Sequence, residues 1–356
     1  ILSLISVKES NKDALLFLEQ ALISPHEHLS NTAQNRLKDI FSTISFDNQI
    51  HLINCILENG LSDKKITCYD PADLLEELRL GDKVMVQLFK GSVLSNSSQA
   101  QTNIPKRRRA SSASTRHAMR EMGVSFLARQ HLQKLTVLLE VLHHFSLLKE
   151  FVPSIQLLEP LFTILDDLET LGMDGKLPVL YAQETLASCM VNLIRKVSEN
   201  HVHVDDISSI RADIVVSSIR SSDSPQVQNK LLLVVAALAS FVPELVLHSV
   251  MPIFTFMGAH TIRQDDEFSS QVVEETIRCV VPALASTAKS GMDEEIDFLL
   301  TSFVSAFPHI PRHRRVKLFT TLATTLGSRI SIHLILFLCG QQYAAAYSKH
   351  KMDTCT

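Results

Sequence analysis

The feature that most constrains the fold is an apolar spacing of three and four residues that returns along nearly the whole chain, while sustained period-two alternation appears nowhere. In "SPQVQNKLLLVVAALASF" (224–241), Val227, Leu231, Val234, Leu238 and Phe241 fall on one face of a helix. Ala182, Leu186, Cys189, Leu193 and Val197 share that spacing, as do Ile296, Leu299, Phe303 and Phe307. Ser224 and Pro225 read as an N-cap and a first-turn proline: the hydroxyl satisfies an orphan N–H, and the ring presets a helical φ. Each helix carries an apolar stripe that a neighbour must cover. The connectors "SSDSP" (221–225), "SGMDEE" (290–295) and "LGMDGK" (171–176) are short and polar, which makes successive helices antiparallel neighbours.

Internal repetition points to how such hairpins assemble. "FVPSIQLLEPLFT" (151–163) matches "FVPELVLHSVMPIFT" (241–255), and "QETL" (183–186) matches "EETI" (274–277). The matches lie roughly ninety residues apart, about twice the length of one HEAT-type repeat. A two-repeat unit used twice is the expectation. Thin helix pairs of this kind bury their apolar faces only by stacking, so the predicted fold class is all-α, a HEAT-repeat α-solenoid of stacked antiparallel helix pairs.

One segment departs from the pattern. "SNSSQAQTNIPKRRRASSASTRHAMR" (95–120) is Ser-rich and basic with almost nothing to bury, and reads as a disordered loop. It divides N-terminal helical repeats (1–94) from a C-terminal repeat array (121–356), both of the same helical kind.

Composition then removes several functional classes. The chain of 356 residues has 46% hydrophobic residues, no Trp, 10 Gly and 12 Pro, a balance that favours helices over strands. Its formal net charge of −4 provides no global positive field for nucleic acid, so any RNA contact is local or made through partners. The six cysteines are scattered without a C-x-x-C pair and read as reduced thiols of a cytosolic or nuclear protein. The opening at Ile1 reads as part of a longer protein, and no signal peptide is visible. The stretches 245–262 and 330–348 lack acidic, Lys and Arg residues, but Pro252, Gly258 and Gly340 interrupt them, so buried helices are expected rather than membrane spans.

Candidate chemistry is sparse. His26 with His28, His143 with His144, and His201, His203, Asp205 and Asp206 form pairs or a short run without a second ligand set, so no metal site is expected. G-x-S-x-G, P-loop, G-x-G-x-x-G and H-E-x-x-H motifs are missing, which argues against an enzyme, a cofactor or a small-molecule substrate. Lys106, Arg107, Arg108 and Arg109 have the composition of a nuclear-import signal or RNA contact, against the plain alternative of a solvated charge run. Ser111 behind them would suit a basophilic kinase, whose phosphate would offset their charge.

Two further stretches carry clustered charge. In "FTFMGAHTIRQDDEFS" (254–269), Gly258 suits a left-handed position after a helix, Asp265 or Asp266 can cap the next helix, and Glu267 suits its first turn. Arg263 is expected either to pair with an acid of this loop or the neighbouring repeat, or to meet a partner or RNA. In "IPRHRRVKLF" (310–319), Arg312, Arg314, Arg315 and Lys317 are candidates for contacts with RNA phosphates or a partner's acids; a solvated helix start explains them equally.

The run "MPIFTFMGAHTIRQDDEFSSQVVEETIRCVVPAL" (251–284) is more specific than repeat packing requires. It resembles a segment of the large HEAT-repeat, U3-small-nucleolar-RNA-associated proteins of the small-subunit processome. Met251 to Gly258, the Arg263 to Glu267 turn and Val281 to Leu284 carry the likeness; the repeat from 221 and "LPVLYAQETL" also fit. The resemblance implies a nucleolar scaffold without catalytic residues. Its implied partners are processome proteins together with U3 RNA and pre-ribosomal RNA, direct or indirect, in processing towards 18S RNA and in transcription of ribosomal DNA. "YSKHKMDTCT" at the end leaves the apolar pattern where that family continues in helices. An importin-like or phosphatase-scaffold adaptor is the alternative on the same architecture.

Overall fold

The computed structural model describes residues 12–62, 67–93, 113–171, 176–200, 209–247, 249–287 and 292–353. All regular structure among them is helical, and the chain divides near residue 200 into two compact units. The fold is an all-α HEAT-repeat α-solenoid of stacked antiparallel helix pairs.

The first unit contains α1 (Lys12–Leu22), α2 (Glu27–Ile40), α3 (Phe46–Gly60), α4 (Pro71–Glu77), α5 (Asp82–Gly91), α6 (Ala113–Leu147), α7 (Leu158–Leu171) and α8 (Lys176–Glu199). Asp70 caps α4 by accepting the Ala72 N–H at 2.8 Å, with Pro71 opening its first turn. The stripe Ala182, Leu186, Cys189, Leu193 and Val197 on α8 is fully buried, as its spacing predicts. That face meets α6, where the Cys189 thiol lies 3.5 Å from the Leu139 carbonyl and Asn192 donates to the Ser146 hydroxyl at 2.9 Å.

The second unit contains α9 (Ala212–Ser221), α10 (Pro225–Phe241), α11 (Pro243–Leu247), α12 (Val250–Ala259), α13 (Glu267–Thr287), α14 (Met292–Ala306), α15 (Arg312–Leu326) and α16 (Ser328–Asp353). They form two layers. In one, α9, α12, α14 and α16 pack side by side; in the other, α10, α13 and α15 do so. The first-layer helices begin at residues 212, 250, 292 and 328, a period of about 40 residues. Ser224 accepts the Val227 N–H and Pro225 opens α10, as predicted. Leu231, Leu232, Val234, Val235, Ala236 and Leu238 are all buried, because α10 is covered by α9 on one side and α13 on another.

The matched stretches found in the sequence fall on helices in both units. Phe162 of α7 and Phe254 of α12 are both buried in a first helix, and "QETL" and "EETI" lie within the second helices α8 and α13. Phe307 differs from its expectation: it is half-buried in a 3-10 turn (Phe307–His309), since α14 stops at Ala306 just ahead of Pro308. Residues 95–112 of the basic segment lie outside the described residues; α6 begins at Ala113, inside the stretch read as loop. Ala, Arg and Met in that stretch are good helix formers by intrinsic propensity.

Gly258 requires a correction. It lies inside α12 and is buried, and Gly327 is the only described glycine with positive φ. No left-handed cap exists at Gly258. A Cβ at Gly258 would sit 3.4 Å from the Ser302 carbonyl oxygen of α14, an ordinary contact, so the crossing has room for a methyl group and little more.

Candidate partner-binding surface

The turn between α12 and α13 is built by its own polar residues. After α12 the chain makes a 3-10 turn (Thr261–Arg263), and Asp266 then caps α13 by accepting the Ser269 N–H at 2.7 Å. The Ser269 hydroxyl also donates to Asp266, and Glu267 stands in the first turn beside the positive end of the helix dipole. Burial would raise the Asp266 carboxyl, but the two Ser269 donors and the charge of Arg314 outweigh it and hold it below the ordinary carboxylate value. Behind the turn, buried Asn229 of α10 donates to the Ser269 hydroxyl at 2.8 Å, which ties the turn to the preceding repeat.

The basic residues of α15 divide by what they touch. Arg314 is spent on the turn: it donates to the Gln264 carbonyl at 3.2 Å and to that of Asp266, and its Nε lies 3.3 Å from Asp265. With its side chain 13% exposed, Arg314 has little surface left for RNA or a partner. Arg315 donates to the Ile310 carbonyl at 3.0 Å and covers the Phe307 ring at 4.5 Å. Lys317 meets Glu274 Oε1 at 2.8 Å, a carboxylate only 8% exposed. Arg312 stays exposed at the start of the helix.

Arg263 has no ion pair among the described residues; Asp265, the acid nearest in sequence, is held by Arg314. Its exposed side chain instead lines an open groove of about 560 Å³ beside the α9–α10 turn. There it joins Arg220, Asp223, Gln228 and His260, with the His260 ring stacked on Phe256 at 4.8 Å. The sequence reading missed Arg220. A lone arginine beside "SSDS" gives no signal by itself, and the groove forms only when two successive repeats bring their turns together. Lys106 to Arg109 lie outside the described residues.

Among the described residues, no three His, Cys, Asp or Glu side chains are placed to hold a metal ion. Burial pushes the Cys189 thiol well above its usual value, leaving it a packing residue. No described helix is long and apolar enough to cross a membrane.

Comparison with known proteins gives these features a context. A family model described as HEATR1-like, HEAT repeats matches residues 291–355. The chain is similar to U3 small nucleolar RNA-associated protein 10 of Scheffersomyces stipitis, at 49% identity over 336 residues, covering 94% of this chain and 18% of that protein. The protein of that name from Candida albicans is 50% identical over 346 residues, 97% of this chain and 19% of its own. The one from Saccharomyces cerevisiae is 45% identical over 352 residues, 99% of this chain and 19% of its own. The chain therefore spans about a fifth of the length of these relatives. A crystal structure of a Kap121p mutant aligns over 99% of this chain and 40% of its own with 10% identity, but its TM-score of 0.36 carries no argument. With identity near one half sustained along almost its whole length, on the helical repeats that its periodicity predicts, the chain belongs to the family of large HEAT-repeat, U3-small-nucleolar-RNA-associated proteins.

Proposed function

We propose that this chain is a segment of a non-catalytic scaffold of the nucleolar small-subunit processome, acting by extended-surface binding during pre-ribosomal RNA processing towards 18S RNA. The observation that carries the reading is the near-complete alignment with proteins named for association with U3 small nucleolar RNA. Two features agree with a binding role. Stacked helix pairs leave long rows of turns free for partners, and the clustered arginines Arg263 and Arg220 lie on such turns. Most cations of 312–317 are committed within the fold, which favours protein partners, with U3 and pre-ribosomal RNA held through them, over a broad direct RNA surface. Lys106 to Arg109 serve in nuclear import or a local RNA contact, and a role in ribosomal DNA transcription follows from the same family reading.

The test is purification of the tagged full-length protein from nuclear extract with and without ribonuclease, quantifying U3 RNA, pre-ribosomal RNA and co-purifying proteins. Enrichment of U3 RNA with processome proteins that survive ribonuclease supports the scaffold. Transport factors or phosphatase subunits without U3 RNA overturn it in favour of an adaptor.

A further inference from the structure

Arg220 and Arg263 are two exposed guanidinium groups in one groove, and neither has an ion pair among the described residues. Arg220 lies near the end of α9 and Arg263 ends the 3-10 turn after α12, so the groove spans the turns of successive repeats. The rest of the lining is mixed. Phe256, 8% exposed, provides part of an apolar floor with His260 stacked on it; Asp223 brings one negative charge, and Gln228 is fixed by donating to the Ser222 carbonyl at 2.6 Å.

We infer that this groove binds an extended acidic peptide segment of a protein partner, one with two carboxylates flanking an apolar residue. A guanidinium presents a planar fork that matches a carboxylate with two parallel hydrogen bonds, and two of them fix both position and direction of a peptide. The floor takes the intervening apolar side chain, and Asp223 accepts a backbone N–H of the segment. An RNA strand is the poorer occupant. Asp223 stands inside the groove, and exposed Asp265, Asp266 and Glu267 follow Arg263 on the adjoining turn, so a phosphate backbone meets repulsion with each attraction. The chain's net charge of −4 adds no background attraction for RNA.

The inference rests on the scaffold reading and names the partner chemistry at one of its surfaces, so the test separates the two. A photoreactive benzoylphenylalanine at position 228 of the full-length protein, in its native purified complex, is irradiated and the cross-linked segment identified by mass spectrometry. The expected product is a peptide with at least two Asp or Glu residues about an apolar one. The double substitution Arg220→Glu with Arg263→Glu lowers its yield about tenfold, the scale of two exposed charge pairs, and Lys at the partner's two acidic positions restores it. The arginines are exposed, so circular dichroism of the variant verifies that its helices are intact; the charge-swapped pair distinguishes lost binding from lost fold in any case. Cross-linking to nucleotides, cross-linking to a segment without acids, no cross-link from position 228 with both arginines intact, or a yield unmoved by charge reversal each overturns the inference. U3 RNA is quantified in the same eluate: its absence overturns the scaffold reading and leaves the cross-link to decide the groove.

Discussion

Arg314 of α15 holds Asp265 at 3.3 Å and donates to the Asp266 carbonyl, so one side chain of a later repeat closes the turn that starts α13. The Gln264 carbonyl lies ahead of the helix start, and the Asp266 carbonyl accepts the Ser270 N–H of α13 at 3.3 Å with a lone pair to spare for the guanidinium. The contact couples two successive repeats through a polar link beside their apolar packing.

Replacing Arg314 with Ala therefore leaves those carbonyls and Asp265 without their cation, and the expected loss is about 1.5–3 kcal/mol, as for hydrogen bonds to charged groups. Lys at this position recovers only part, because an ammonium lacks the guanidinium fork. Hydrogen exchange over residues 261–270 is the direct readout. Arg312→Ala serves as the control, since Arg312 is exposed at the helix start and is expected to stay within about 0.5 kcal/mol of the parent. Equal effects from the two substitutions would refute the turn-closing role.

Asp266→Ala removes an N-cap and is expected to cost about 1 kcal/mol. The folded carboxyl titrates below its ordinary value. Its electrostatic contribution is therefore complete above the unfolded value of about 4 and disappears as pH falls through the folded value. Asp266→Asn keeps an accepting oxygen but does not titrate. Urea midpoints of the parent and the Asn variant should differ at pH 7 and draw together as pH falls below the ordinary carboxylate value and through the folded one; a gap independent of pH would show that the charge of Asp266 contributes nothing.

Two glycines give opposite signs. At Gly258 a methyl group meets Ser302 at ordinary contact distance within a helix, so Gly258→Ala is expected to be neutral or to gain up to about 1 kcal/mol in helix propensity, whereas Val overpacks the α12–α14 crossing. A left-handed cap at this position would instead make Ala destabilising, so thermal melts of this single variant discriminate the two geometries. At Gly60, ending α3, a Cβ would overlap the Pro71 ring at the start of α4. Gly60→Ala is expected to cost about 1–3 kcal/mol, and an unchanged melting temperature would contradict that packing.

Cys189 is a core residue by this account, so alkylating reagents should leave it unmodified in the folded chain and label it after denaturation. Rapid labelling of Cys189 under native conditions, read by peptide mass spectrometry, would place it on a reactive surface and overturn its core placement.

The sequence by itself determined the helices and their inward faces. Val227, Leu231, Val234 and Leu238 had to lie on one side of a helix because backbone geometry sets 3.6 residues per turn, and Ser224 with Pro225 marked its start through local hydrogen bonding and a fixed φ. Asp266 and Glu267 were legible for the same reason: capping and dipole effects act within one turn. Tertiary structure alone decided the roles of Gly258, Arg314 and Arg220. The room at Gly258 is set by Ser302 of another helix, and Arg314 is structural because the turn it closes lies 48 residues back from it at Asp266. Arg220 acquires meaning only where the next repeat places Arg263 across the same groove. Periodicity and capping are local interactions that a sequence window contains, whereas close approach, ion pairing and groove formation depend on which turns stacking brings together.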